Sequence, residues 1–358
     1  MNDDLALSGD RPRRSRPASG RVSMAMVASR AGVSGQTVSR VVNDSPRVDP
    51  ATRERVETAM AELGYRPHRA ARALRTGRSQ TIGLVVTTLA TVGNSRMLQA
   101  TVEAAADRGY ALTVVTATDG GTAAAVDAAF DRLAEQEVDG AIVLNEASAL
   151  VPAAARPTGL RLVIVDAVAD GALRTVRSDH AGGAAAATRH LLALGHPTVH
   201  HLAGPAQSFA AAERERGWRA ALDAQDIRPP DVVRGDWSSD SGHAAARALA
   251  SASAVFCAND QMALGLVRAL EDAGRAVPAE VSVVGFDDVP DAANYRPPLT
   301  TIRQDFASLA DRAVAALVAQ IEGGADSRGA AELDTATSVV PTSLVVRASA
   351  GTFPSQRP

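Results

Sequence analysis

Residues 31–43 read Ala-Gly-Val-Ser-Gly-Gln-Thr-Val-Ser-Arg-Val-Val-Asn, and the spacing within this stretch decides the fold of the N-terminal part of the chain. Gly32-Val33-Ser34 makes a turn, and Ser34 is placed to cap a helix over Gly35 to Asn43. On that helix Val38, Val41 and Val42 fall at i, i+3 and i+4 and form one apolar face. Gln36, Arg40 and Asn43 fall at i, i+4 and i+7 on a different, polar face. Before the turn, Met24 to Ala31 carries a short helical pattern. After it, Asp49 as cap, Pro50 at the first position and Gly64 as stop mark a third helix. Val56, Ala59, Met60 and Leu63 suit that helix to packing on the other two. Two short helices about a glycine-containing turn, covered by a third, predict a helix-turn-helix unit. Its second helix would present Ser34, Gln36, Thr37, Ser39, Arg40 and Asn43 to the major groove of double-stranded DNA. There Gln can pair bidentately with adenine and Arg with guanine.

The charge distribution agrees with a polyanion partner at one end. Every one of the 37 basic side chains is arginine, and the net charge is -3. Through Arg78 there are 15 Arg against 8 acids, giving +7; the remainder has 22 Arg against 32 acids, giving -10. A basic head sits on an acidic body. Residues 1–21 read as a disordered basic tail with no signal-peptide pattern, and no apolar run approaches a membrane span of roughly 20 residues. A soluble, cytoplasmic protein without a membrane partner is expected. The single cysteine, Cys257, lies in an apolar run and reads as a buried structural thiol.

From Thr81 the pattern changes to alternating strands and helices. Strands are expected at Ile82 to Val86, Leu112 to Val115, Ala141 to Leu144 and Leu162 to Val165. Helices are expected over Met97 to Gly109 and Ala123 to Glu135. A second set comprises helix Ala184 to Leu194, strand Val199 to Ala203, strand Ala254 to Ala258, helix Gln261 to Ala273 and strand Val281 to Phe286. Helix Leu309 to Ile321 and strand Ser343 to Val346 close the chain. This order predicts an α/β core of two doubly wound parallel-sheet lobes, with a ligand cleft at the C-terminal ends of the strands. At those ends stand Asp166, Asn259-Asp260 and Asp287-Asp288, with Arg214 on a helix and Trp237 after Gly235-Asp236. Planar polar groups plus an aromatic face suit a neutral sugar. Each Asp alone reads equally well as a helix cap or turn residue.

Enzyme readings find little support. Asp287 and Asp288 are sequence neighbours, which rarely converge on one substrate atom. His200 and His201 alternate across a strand, so a chelating pair is not expected. No Gly-x-Ser-x-Gly elbow or phosphate loop is present, and Asp119-Gly120-Gly121 lacks dinucleotide spacing. No catalytic residue, metal or cofactor is expected.

Val27-Ala28, Ala31-Gly32-Val33-Ser34, Thr37 to Asn43, Thr52 to Val56 and Leu63-Gly64-Tyr65-Arg66-Pro67 resemble the headpiece of the lactose/galactose repressor family. The resemblance runs on to about Arg347. It implies a transcription regulator with a periplasmic-binding-protein-like core, working as a homodimer on an operator and responding to a sugar effector. The implied division is headpiece 22–67, hinge helix and linker 68–79, and core 80–350, followed by a tail 351–358. Lobe 1 would take 80–178 and 306–340, and lobe 2 would take 179–305 and 341–350. In the family the hinge helix forms only on DNA and wedges a leucine into the minor groove; the matching segment here is Arg69 to Leu74, with Leu74 in the wedge position and Arg69 among its DNA-binding residues. The effector site implied comprises Asp166, Arg214, Asn259 and Asp287. One branch of the family adds Trp237, Gln304 and Phe306, with Asn94 and Ser95 on the first lobe.

This chain also departs from the pattern. Met24-Ala25-Met26 replaces polar or aromatic residues and an Asp, Gly35 replaces a base-contacting side chain, Ala210 a serine and Asn94 a proline. The heptad tail by which one member forms tetramers does not follow the last core strand, so a dimer is expected, with helix Met97 to Gly109 part of its interface. Sugar-relieved repression is the leading expectation. An activator, a corepressor-dependent regulator and a sugar-binding protein without a DNA role are the alternatives.

Overall fold

The computed structural model describes residues 22–42, 45–65, 77–117, 122–145, 147, 151, 159–168, 173–323 and 337–353. The chain divides into two compact units, Met1–Gly77 and Arg78–Pro358. The expected basic tail, the wedge segment around Arg69 and Leu74, and Asn43 lie outside the described residues.

In the first unit α1 (Met24–Ala31), α2 (Gly35–Val42) and α3 (Pro50–Leu63) bury Val27, Val38, Val41, Val56 and Ala59 together. Gly32 ends α1 at φ +65°, the left-handed geometry that lets the chain reverse and return the Val33 amide to Ala28 O. Ser34 Oγ then accepts from the Thr37 amide at 3.1 Å, and Asp49 accepts from Thr52 N at 2.9 Å to start α3. Hydrogen bonding from Thr52, its hydroxyl first and its amide second, holds the Asp49 carboxyl below its ordinary value.

The second unit holds two six-stranded sheets. The first is built from β1 (Thr81–Val86), β2 (Ala111–Thr116), β3 (Gly140–Leu144), β4 (Arg161–Val165), β5 (Arg174–Ser178) and β11 (Thr337–Val340). Its order is β11-β5-β4-β3-β1-β2, all parallel. Helices α4 (Val92–Asp107), α5 (Ala123–Glu135) and α10 (Phe306–Glu322) cover it; Phe306, Leu309, Val314 and Leu317 of α10 join Ile82, Ile142 and Val163 in one core. The second sheet is built from β6 (His200–Ala203), β7 (Val233–Arg234), β8 (Ala254–Cys257), β9 (Ser282–Asp287), β10 (Thr300–Arg303) and β12 (Ser343–Val345). Its order is β12-β10-β9-β8-β6-β7. It is flanked by α6 (His180–Ala193), α7 (Phe209–Asp223), α8 (Ser239–Ala245) and α9 (Asp260–Asp272).

Three differences from the sequence reading have simple causes. The second sheet is not wholly parallel, because β12 pairs antiparallel with β10. β12 is the edge strand of that sheet, where an otherwise parallel sheet commonly carries an antiparallel strand, and it arrives directly from β11 of the first sheet over Pro341 and Thr342. Helix α4 starts at Val92 rather than Met97: Thr91 caps it by accepting from Asn94 N, and its first turn carries no apolar period. Past residue 350 the chain is not a free tail as far as Phe353, since Gly351 N donates to Ser282 Oγ and Phe353 N to Leu194 O. Cys257 is buried, which pushes its thiol far above the ordinary value.

Helices α8 and α9 cross at two glycines. A Cβ on Gly265 would lie deep inside the contact distance of Ser239 O, and one on Gly242 would collide with Met262 O. Backbone cannot yield as a flexible side chain does. Gly265→Ala is therefore expected to destabilise the core by about 1–3 kcal/mol, the cost of overpacking a close-packed crossing. Urea denaturation checks this, and a midpoint equal to that of the parent would contradict the packing described.

Candidate functional site

The C-terminal ends of the strands in both sheets converge on one open cleft with about 560 Å³ of space continuous with solvent. Four of its lining residues have their backbone held in the left-handed region. Asn145 after β3 has φ +47°, Asp166 after β4 has +52°, Trp237 has +76° and Asp287 ending β9 has +115°. Such geometry costs of order 1–3 kcal/mol per residue and persists where the surroundings enforce it. Here it turns four side chains out of the strand direction and into the cleft.

Arg214, 4% exposed, is the centre of the arrangement. Its guanidinium carbon lies over Phe286, 3.9 Å from the ring centroid, and 5.4 Å from the centroid of the Trp237 ring. NH1 donates to Ala258 O, and NH2 stands 3.6 Å from Asp287 Oδ1. Nε donates to His180 Nδ1 at 3.3 Å, which leaves the imidazole proton on Nε2, 3.0 Å from Asp166 Oδ1. Asp166 also accepts from the Ser178 amide at 2.9 Å. Gln304 Nε2 donates to Asp287 Oδ1 at 2.7 Å. Burial pushes the Asp287 carboxyl above its ordinary value, opposed by the Arg214 charge and the Gln304 bond. Each carboxylate of the cleft thus has its own basic neighbour.

Asn259 behaves as the helix cap it could equally have been: Oδ1 accepts from Met262 N at 2.9 Å, and Nδ2 donates to Trp237 O at 3.0 Å. It still lines the cleft, and it holds Trp237 there. Asn94 donates to Thr88 O at 2.9 Å and accepts from Asn145 Nδ2. Ser95 is exposed and is not in the lining; its hydroxyl donates to Leu89 O at 2.7 Å. Phe306 and Ala210 complete the places expected from sequence. His180 and Asn145 were not singled out by sequence. The signal for His180 was available in Ser178-Asp179-His180, where Asp179 caps α6 by accepting from Gly182 N at 2.8 Å.

In the first unit, Gln36 and Arg40 of α2 are exposed, while Thr37 and Ser39 are half-buried. Ser34 Oγ is engaged in capping and lies 3.0 Å from Thr37 Oγ1. Val38 and Val41 face inward, so the polar face is the outer one.

Residues 23–68 match the bacterial regulatory proteins of the lacI family, and residues 188–350 match a periplasmic binding protein-like domain. The lactose operon repressor of Escherichia coli K12 is 38% identical over 328 residues, 90% of this chain and 88% of that protein. The chain belongs to the lacI family. The HTH-type transcriptional regulator CelR of Thermobifida fusca is 35% identical, over 85% of this chain and 93% of its own length. A solved lac repressor dimer, bound to operator and the anti-inducer ONPF, superposes with TM-score 0.79 at 36% identity, covering 93% of this chain and 100% of that one. As a lacI-family member the chain is a DNA-binding transcription regulator with a helix-turn-helix headpiece and a two-lobed core. Its named relatives are regulators rather than enzymes. Among the described residues no helix is long and apolar enough to cross a membrane, and no group of three or more His, Cys, Asp or Glu could hold a metal.

Proposed function

We propose that this lacI-family regulator is a cytoplasmic homodimeric repressor, without enzymatic activity, released from its operator by a neutral polyhydroxylated ligand bound in the cleft. The observation that carries the reading is that the arginine at the centre of the cleft is already engaged by a buried carboxylate. Arg214 stands 3.6 Å from Asp287, and Asp166 faces an imidazole that is neutral because its Nδ1 accepts from Arg214, so an anionic ligand would meet carboxylates and an arginine already paired. What the cleft offers instead is hydrogen bonding and aromatic surface. Gln304 Oε1 is buried and has no hydrogen-bond partner among the described residues, which suits a ligand hydroxyl. Trp237 and Phe306 supply flat faces for the apolar side of a sugar ring. A galactoside is the first candidate, supported by the 38% identity to the lactose operon repressor.

On the DNA side Gln36 and Arg40 are proposed to read base edges, with Thr37, Ser39 and Asn43 beside them and Ser34 fixing the helix start. Arg69 and Leu74 are proposed to act at the minor groove, a role supported by the family resemblance of their segment. In this scheme the ligand changes the arrangement of the lobes and thereby weakens operator binding, a coupling typically of 1–3 kcal/mol, or roughly 5- to 150-fold in affinity.

A gel shift on the DNA upstream of the gene, titrated with isopropyl thiogalactoside and a panel of neutral mono- and disaccharides, tests the proposal. A retarded band that one of these sugars weakens roughly tenfold or more is the expected result. A band that sugars only strengthen would reverse the sign of control. A band insensitive to the whole panel would remove the effector role from the cleft.

A further inference from the structure

The first turn of α4, in lobe 1, reaches across to lobe 2. The Val92 amide donates to Gln261 Oε1 at 3.3 Å, and the Val92 side chain packs against the apolar cluster of the second lobe. One turn further on, Arg96 NH1 donates to the carbonyl of Asp288 at 3.1 Å, while its guanidinium carbon stands 5.0 Å over the Phe306 ring. Asp288 is itself held rigidly. Its backbone sits at φ +52° directly after Asp287 at +115°, and its carboxylate receives Arg303 at 2.7 Å and Arg347 at 2.6 Å. The dipeptide therefore points one carboxylate into the cleft and the other away from it, and offers its carbonyl to the opposite lobe.

We infer that Arg96 is the positioning residue of the cleft, fixing the Phe306 ring and latching lobe 1 to the Asp288 carbonyl of lobe 2. Two features separate this from ordinary surface contact. A hydrogen bond from a charged donor is stronger than a neutral one, and a guanidinium within about 6 Å of a ring face gains further attraction. Both are made by one half-buried side chain that bridges the two sides of the cleft. Phe306 lines the cleft and Asp288 adjoins Asp287, which also lines it, so anything seated against either residue acts on the latch. The inference rests on reading the cleft as the effector site, and it adds to that reading how occupancy reaches the lobes.

Hydrogen exchange of the full-length protein, read by mass spectrometry with no ligand and no DNA added, tests it in Arg96→Met and Arg96→Lys. Met keeps bulk over Phe306 and removes every donor; Lys restores one charged donor. In Arg96→Met, segments 88–96 and 287–292 are expected to exchange about fivefold faster or more, with strands 254–257 and 282–286 at parental rates. Arg96→Lys should recover most of the protection. Parental rates in both segments of Arg96→Met would overturn the inference. Uniform acceleration across both sheets would overturn it too, since Arg96 would then be a packing residue only. If Arg96→Met does not accumulate as folded protein, Arg96→Gln, which reaches less far, is read by the same criteria. With neither ligand nor DNA present, a failure here leaves the effector reading standing, and a failed gel shift leaves this result standing.

Discussion

Arg214→Ala is expected to cost the core about 3–5 kcal/mol and to abolish any response to a cleft ligand. Removing one partner of a buried pair strands the other, and Asp287 is only 5% exposed. The same deletion removes the donor to Ala258 O and to His180, and it withdraws the planar group that packs on Phe286 and near Trp237. The loss is thus electrostatic first and steric second. Denaturant unfolding of Arg214→Ala and of Arg214→Ala/Asp287→Asn separates the two. The double variant should recover a substantial part of the deficit, because no uncompensated carboxylate remains. If it recovers nothing, Asp287 is not charged in the native state and the pairing proposed for the cleft fails.

Stability should fall by about 3 kcal/mol between pH 6.5 and pH 4 on account of His201 alone. This residue is fully buried, stacked parallel on Phe256 at 4.8 Å and tilted against Trp218 at 5.2 Å. Nδ1 shares a 2.9 Å hydrogen bond with Phe256 O. Burial pushes its pKa from 6.5 down to about 4. Between those values the unfolded chain takes up a proton that the folded chain refuses, so acid favours unfolding. The folded state is unaffected by this group above pH 6.5. The comparison to make is parent against His201→Phe from pH 7 to pH 4.5; their difference in unfolding free energy should shrink or reverse towards acid. Parallel curves would mean that the imidazole ionises freely in the fold. Asp260 works in the opposite sense, since burial raises its carboxyl to about 8 and its contribution falls as pH rises from about 4 towards 8.

How legible the site was in the sequence depended on which elements announce themselves. Strands β3, β4, β8 and β9 are runs of Val, Ile, Leu or Phe, so the residues that end them, Asp166, Asn259 and Asp287, could be placed at one edge of a sheet from the apolar pattern alone. The helix-turn-helix was legible for a related reason: Gly32, Ser34, Asp49, Pro50 and Gly64 are local signals, and the structure uses each where it stands. Strand β5, Arg-Thr-Val-Arg-Ser, has no such run. Its Val176 is buried by a fold that the sequence does not reveal locally, so β5 and the His180 beyond it went unread. Ser95 was expected at the cleft from the family resemblance and not from a local signal, and it does not line the cleft. Once α4 begins at Val92, Asn94 and Ser95 are about 100° apart around a helix, and only Asn94 can face the cleft. Asn259 was legible as a residue and ambiguous between cap and cleft, and it caps α9 while lining the cleft.

The late return of the chain to lobe 1 has a consequence for how the protein is made. Helix α10 buries Phe306, Leu309, Val314 and Leu317 against strands that begin at Thr81, and β11 then forms the outer edge of the same sheet. A ribosome releases the N-terminal side first, so lobe 1 emerges with much of its apolar sheet face uncovered and must wait for most of lobe 2 to be synthesised. Lobe 2 in turn lacks β12 and the Ser349 hydroxyl, bonded to Val283 O and Thr300 N, until the final residues appear. Neither lobe can finish without the last stretch of chain. Their maturation is thereby synchronised, and a nascent chain stalled before residue 306 should present the exposed face that chaperones bind.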